Sequence, residues 1–361
     1  MKDEINNQLN SDVDNTWQKV VIRDYFLKKA YPQPDVLTEL KAFRKKQQSR
    51  RKTKVVFVSF GFLSGIVAAL LILLFLHNWD LTSFFSSENR PLVAFQTRGG
   101  NSADEVTLQS GSAAVTVVGS SVSKLAQAGA LLNAKEKKIV YAGNQNTAKV
   151  MMQTLSVPRC KTFKVVLSDG TEVWMNAQSQ LCYPNRFTGK QRIVQLQGEA
   201  YFKVAHNVKC PFIVKTNQLQ TRVLGTEFNL RSYSAIDAHV TLLKGSVEVS
   251  NALGTNKRKI KPGEDAQLTS NHSFVVKQVD TEEYSMWKDG YFYFDNVSFI
   301  EITQELGRWY DVGVVFNNRK AADTKLFFVA DRHGSLQEAV DMLNKIKKVH
   351  IYLRNNQMII E

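Results

Sequence analysis

Cys160, Cys182 and Cys210 are the residues of this chain best able to do covalent chemistry. Their spacing contains no CxxC pair and no Cys/His ligand pattern, so neither a thiol redox centre nor a zinc site is expected. In an oxidising compartment three thiols allow one disulfide and leave one thiol over. The histidines, His77, His206, His239, His272, His333 and His350, are scattered. Glu282 and Glu283 are adjacent, and neighbours in a strand face opposite ways, so they do not read as a paired acid and base. HExxH, GxSxG, Walker and GxGxxG motifs are absent. The expectation is a protein that is not an enzyme and that needs neither cofactor nor metal.

The dominant element is an apolar run from Val55 to Leu76, 22 residues without a charge or a proline. As a helix it would be about 33 Å long, enough to cross a bilayer. It divides the chain into a 54-residue head and a long tail. Lys41, Arg44, Lys45, Lys46, Arg50, Arg51, Lys52 and Lys54 precede it, whereas Arg90 is the one fixed positive charge close behind it. The positive-inside bias places the head in the cytoplasm and the tail outside. A cleavable signal peptide fits poorly, because so many residues precede the run and no small-residue cleavage site follows it. Gly61 and Gly65 form a GxxxG inside the run, a spacing that can serve a dimer face or loosen the helix for an intramembrane protease. The net charge of +14 is partly a property of the head, which holds 13 Lys and Arg against 7 Asp and Glu. Next to a membrane, such a patch points to lipid headgroups and topology, and no nucleic-acid recognition motif interleaves with it.

Within the head, residues 15–30 predict a helix carrying Trp17, Val20, Val21 and Tyr25 on one face. Pro34 opens a second helix through Leu37, Leu40 and Phe43. Two short helices cannot bury this much apolar surface on each other, so a partner protein's groove is expected to receive it, the alternatives being the membrane surface or a dimer of heads. Residues 77–137 are rich in Ser, Gly, Asn and Gln and read as a spacer with room for weak strands. Residues 138–280 show short alternating strands with turn signals at Asp169-Gly170, Lys244-Gly245 and Pro262-Gly263. An antiparallel all-β domain is predicted there, as a sandwich or an elongated roll.

Residues 287–361 predict a smaller α+β module in the order β-α-β-β-α-β-β. Ser298 and Glu301 read as a capping box before the stripe Phe299, Ile302, Leu306 and Trp309. Ser335 and Glu338 read as a second box before Leu336, Ala339, Val340, Leu343 and Ile346. The fold class is thus a multidomain membrane protein: helical head, one transmembrane helix, β domain and C-terminal α+β module.

The stretch from Ser168 to Tyr233 closely resembles the periplasmic domain of FecR-type anti-sigma factors. DGTEVWMNA, YPNRF, GEAYFKV, CPFIV and VLGTEFNL occur in the family's order, and LLKGSVEV and KPGE follow. The end of the chain, from WKDGYFYFDNVSF through ELGRWYDVGVVF, is similar to the small domain that closes Bacteroidetes-type members, related to the short N-terminal fold of secretins and TonB receptors. One departure is Cys160, where family members usually carry glycine after Pro158-Arg159. The resemblance implies an inner-membrane protein with its N-terminus in the cytoplasm and its C-terminal domains in the periplasm. Its head would bind an extracytoplasmic-function sigma factor, here through Trp17, Val20, Val21, Tyr25, Leu37 and Leu40. Its tail would sense the signalling domain of a TonB-dependent outer-membrane transporter, with a periplasmic or intramembrane protease as a further partner. Some such proteins cleave themselves between glycine and threonine, and Gly225-Thr226 is the matching pair. The alternative is a membrane-anchored periplasmic binding or scaffold protein of the envelope, which would not need an amphipathic helical head.

Overall fold

The computed structural model describes residues 91–97, 105–111, 116–117, 130–133, 138–141, 150–235, 237–346 and 349–361. The head and the apolar run Val55 to Leu76 lie outside them. Among the described residues no helix is long and apolar enough to cross a membrane. Residues Pro91–Glu361 form one compact unit.

A large β-rich domain comes first, followed by an α+β module. The strands of the first region are β1 (Leu92–Phe95), β2 (Thr107–Ser110), β3 (Thr116–Val117), β4 (Ala130–Asn133), β5 (Lys138–Tyr141), β6 (Met152–Val157), β7 (Phe163–Val166), β8 (Glu172–Met175) and β9 (Ser179–Pro184). They continue as β10 (Arg192–Lys203), β11 (Phe212–Lys215), β12 (Leu219–Val223), β13 (Glu227–Ser232), β14 (Ala238–Lys244), β15 (Val247–Asn251), β16 (Lys257–Ile260), β17 (Glu264–Leu268) and β18 (Phe274–Gln278). Most bury every second residue, as in β6, β7 and β8, so each sheet turns one face inward.

Two sheets share the long strand β10. Its first half pairs with β9 and β11, and its second half with β8 and β13. Outward from there run β3-β2-β6-β9-β10-β11-β12-β15-β16 on one side and β4-β5-β7-β8-β10-β13-β14-β17-β18 on the other. The result is one near-barrel hydrogen-bonded surface. Phe202 on one sheet reaches Phe212 on the other at 6.2 Å and stacks on Phe228 at 5.0 Å. The Tyr141 and Tyr183 hydroxyls meet at 3.0 Å across the same core.

The expected antiparallel pattern is broken at two places. β10 pairs with β11, and β5 with β7, in parallel. At the first, the chain crosses to the other sheet along β10 and returns through residues 204–211. Buried Arg192 holds that return: its Nε donates to the Cys210 carbonyl at 2.8 Å and its Nη1 to the Ala205 carbonyl at 2.8 Å. Asp169, in the hairpin turn with Gly170, balances the charge at 2.6 Å.

The module consists of a 3-10 turn (Met286–Asp289), β19 (Tyr291–Ser298), α1 (Phe299–Tyr310), β20 (Gly313–Phe316), α2 (Arg319–Ala322), β21 (Lys325–Asp331), α3 (Leu336–Asn344), β22 (Ile351–Arg354) and β23 (Gln357–Ile360). The single turn α2 is additional to the expected order; Asn318 caps it by accepting from the Lys320 amide at 3.1 Å. Ser335 and Glu338 form the expected capping box. Ser298 does stand at the N-cap of α1, but no box forms, because its hydroxyl donates to the Glu301 carboxylate at 2.8 Å instead of accepting from the backbone. The stripe Phe299, Ile302 and Leu306 is buried against Phe316, Val340, Met358 and Ile360.

The segment read as a spacer differs most from expectation. Its described residues supply β1 to β4. β2 joins β6 in the β domain, whereas β1 pairs with β20 of the module. Pairing partners this distant leave no local signature, and the apolar stretches of β1 (LVAF) and β4 (ALLN) are only four residues long.

Gly198 marks the point where β10 changes sheets, at φ +99. An added Cβ would lie 2.4 Å from Ser179 Oγ and 2.8 Å from its Cα. Gly198→Ala is expected to destabilise the β domain by at least about 2 kcal/mol. Denaturant unfolding followed by tryptophan fluorescence checks this; an unchanged midpoint would show that the bend tolerates a side chain.

Candidate functional site

The β domain and the module meet across a cluster of buried charges. Glu305, from the inward side of α1, lies among three guanidiniums. Arg332 Nη2 donates to its Oε1 at 2.8 Å, while Arg308, one helical turn on, and Arg231 of β13 donate to Oε2, the latter at 3.2 Å. Glu199 of β10 accepts from Asn229 at 2.9 Å, from Asn176 at 2.8 Å and from Arg231 at 3.3 Å. Asn176 bridges the two carboxylates and also accepts from Arg332 Nη1 at 2.8 Å. Asp237 takes Arg231 Nε at 2.8 Å. Glu199, Glu305, Arg308 and Arg332 are each at most 5 % exposed.

Aromatic rings enclose these charges. The Arg308 guanidinium lies 3.7 Å from the Tyr233 centroid, and Arg332 lies between Phe292 and Trp309 at 4.7 and 4.8 Å. Trp287 Nε1 donates to Asn229 at 3.2 Å, fixing the linker between the two parts. Burial alone would push the Glu305 carboxyl up. The fields of Arg308, Arg231 and Arg332 outweigh it and hold the group well below the usual carboxylate range.

Beside the cluster opens a cleft of about 800 Å³ whose lining includes Arg159, Gln180, Tyr233, His239, Glu283 and Gln304. At one end His239 Nδ1 lies 2.9 Å from Asp265, which also accepts from Thr241 at 2.7 Å. Burial opposes charging His239, but Asp265 and Asp237 prevail and raise its pKa. Glu283 is pushed up to about 7, chiefly by burial and then by Asp295 and Asp265, against the pull of Lys277 and His239. Among the described residues no group of His, Cys, Asp or Glu is arranged to hold a metal ion.

The sites expected from sequence lie elsewhere. Trp17, Val20, Val21, Tyr25, Leu37 and Leu40 fall outside the described residues. Gly225 and Thr226 connect β12 to β13. An added Cβ at Gly225 would lie 2.5 Å from His206 Nδ1 and 2.7 Å from its Cα, so close approach of that chain accounts for the glycine. The Thr226 hydroxyl is buried and donates to the Ser246 carbonyl at 2.9 Å. Attack on the Gly225 carbonyl would require it to leave that bond. No disulfide joins Cys160, Cys182 and Cys210. Cys160 adopts φ +62, the left-handed backbone that suits the glycine usual at this place in the resembling family.

The charge cluster escapes a reading by periodicity. Glu305 and Arg308 sit beside an apolar stripe, where charged residues are ordinarily taken as flanking. Their partners Glu199 and Arg231 are remote in sequence. The usable signal is local: ELGRWY places an acid and a base three apart among large apolar residues, the spacing of one helical face.

Residues 153–248 match the family model described as FecR protein, and residues 291–360 match the one described as FecR, C-terminal. Two crystal structures of a candidate anti-sigma factor from Parabacteroides distasonis ATCC 8503 are similar at 26 % identity with a TM-score of 0.54. They cover 58 % of this chain and 98 % of theirs. No curated protein matches the sequence.

Glu305→Gln leaves buried Arg308 and Arg332 without the carboxylate that pairs with both, while Arg231 keeps Glu199 and Asp237, and is expected to cost about 3–5 kcal/mol of stability. Chemical denaturation measures it, and a loss under 1 kcal/mol would show that the cluster is not a structural unit. A pH dependence follows from Glu283 and His239. Between about 4.5 and about 7 the folded protein keeps a proton on Glu283 that the unfolded chain has released. The stability this group contributes is therefore complete below pH 4.5 and declines as pH rises to 7. His239 acts in the same direction, its contribution complete below 6.5 and lost as pH climbs through its raised native value. The melting temperature is expected to fall from pH 5 to pH 8, less steeply in Glu283→Gln; identical slopes would refute the assignment.

Proposed function

We propose that this chain, which belongs to the FecR family through residues 153–248 and 291–360, is a single-pass inner-membrane anti-sigma factor that relays a periplasmic signal to a cytoplasmic sigma factor. The observation that carries the reading is the family assignment joined to the similarity, over 58 % of the chain, to the Parabacteroides distasonis structures. FecR-type anti-sigma factors are regulators, not enzymes, and the family implies a sigma-factor partner.

The finer assignments rest on the sequence. The apolar run and its basic N-terminal flank support a span with the head inside. The face formed by Trp17, Val20, Val21, Tyr25, Leu37 and Leu40 supports a head that binds an extracytoplasmic-function sigma factor. The C-terminal module's likeness to the short domain of TonB receptors supports a partner on the signalling domain of a TonB-dependent outer-membrane transporter. Through these contacts the protein would control transcription of uptake genes.

Residues 1–54, used as bait in a lysate of the native organism, are expected to recover a sigma factor. The double substitution Trp17→Ala/Tyr25→Ala is expected to reduce recovery at least about tenfold, since buried aromatic anchors dominate such interfaces. Recovery of no sigma factor, with the sigma factors shown to be present, would favour an anchored periplasmic scaffold instead.

A further inference from the structure

β1 is joined to the module differently from every other strand of that sheet. It lies at the sheet edge, in the order β1-β20-β23-β22, and pairs only with β20. Its ladder is interrupted: Leu92 faces Phe316 and Val93 faces Val315, but Phe95 faces Val314, so the register slips around Ala94. The Ala94 carbonyl is taken by a side chain, Gln304 Nε2 of α1, at 3.1 Å. None of its four residues is fully buried, and Val93 is 50 % exposed. With β1 in place Val314, Phe316, Met358 and Ile360 have no exposed surface, and Leu92, Ala94 and Phe95 pack against that core while staying partly exposed themselves.

What holds β1 is concentrated at Phe95. Its ring lies against Gly307 of α1, where an added Cβ would sit 2.7 Å from Phe95 Cδ1. The Arg159 guanidinium of the β domain covers the ring at 4.6 Å, and Arg308 approaches at 5.7 Å. Arg159 Nη2 also donates to the Gln96 carbonyl at 3.0 Å, and Nη1 is paired with Asp311 at the end of α1. One arginine thus ties together the strand, the module and the β domain.

We infer that residues 91–97 are a detachable strap, and that the place they fill is a strand-binding groove. The groove consists of the β20 edge with the notch over Gly307, and it accepts an extended protein segment carrying an aromatic residue three positions after an aliphatic one. The strap is its occupant in cis. Its backbone supplies pairing that any strand can supply, and the Phe95 notch supplies selectivity, the division of labour usual in strand addition. Release would move seven residues, about 24 Å of extended chain, from the module to the chain leading toward residue 90. The inference concerns residues 91–361 and stands whether or not the head binds a sigma factor.

Hydrogen exchange on the full chain in lipid nanodiscs, read by mass spectrometry, tests it. In the wild type, residues 91–97 are expected to exchange at least about tenfold faster than residues 357–360 of β23. In Phe95→Ala and, independently, in Arg159→Gln, which leaves the groove itself unaltered, residues 91–97 and 313–316 are expected to exchange faster still. Residues 299–310 and 357–360 should be unchanged. A blocked peptide of sequence PLVAFQT added to Phe95→Ala is expected to restore protection of residues 313–316. The inference fails if the strap exchanges in step with β23 in the wild type. It fails also if both substitutions accelerate the whole module equally, or if the peptide restores nothing. None of these readouts depends on sigma-factor binding.

Discussion

Five ionised side chains buried between the β domain and the module constrain everything around them. Glu199 and Glu305 face Arg231, Arg308 and Arg332, and each must keep partners within hydrogen-bond reach, because an unpaired charge in such surroundings costs several kcal/mol. Those partners come from β10, β13, α1 and the segment after β21. The ion pair of the cluster that joins the two parts, Arg231 with Glu305, forms only when the module sits against the β domain. Apolar residues of the same volume could hold two surfaces together as well or better, but would tolerate sliding. A charge cluster with Asn176 bridging both carboxylates does not.

The bend in β10 serves that cluster. Gly198 allows the strand to leave one sheet and enter the other, and the next residue is Glu199. The Glu199 amide is held by the Ser179 hydroxyl at 2.9 Å, against the very atom that forbids a Cβ at position 198. The backbone geometry that joins the two sheets therefore also aims a carboxylate at Arg231. Arg192 performs the matching task on the return path, satisfying carbonyls that a parallel crossover would leave unpaired. One arginine and one glycine explain why a long strand can be shared while the carbonyls of its return path stay paired.

Elements whose determinants are contiguous were legible in the sequence. Asp169-Gly170, Lys244-Gly245 and Pro262-Gly263 all place a glycine at positive φ in a turn. The Ser335–Glu338 box needs only four residues and forms as read. Ser298–Glu301 has the same spelling, yet its hydroxyl turns to the carboxylate, a choice made by side-chain rotamers that spacing does not encode. The pairing of β1 with β20 and the junction of Glu305 with Arg231 depend on segments brought together by the fold. A window of ten residues shows that LVAF is apolar and that ELGRWY sets an acid and a base among large side chains, but not which distant segment either one meets.

The two ties between the parts differ in kind, and the difference orders their responses. The charge cluster is demanding: separating the module from the β domain would strand buried charges, so it gives way only when the interface opens. The strap is soft: it is half-exposed, its ladder is irregular, and one aromatic ring and one arginine hold it. Local opening begins where few apolar groups are buried and pairing is incomplete. A strand that engages the module at the β20 edge therefore meets β1 before it can disturb the cluster, and displaces it while the module stays docked. Arg159 registers that exchange within the β domain, because the contacts it loses, to Phe95 and the Gln96 carbonyl, belong to the strap, and the one it keeps, to Asp311, belongs to the module.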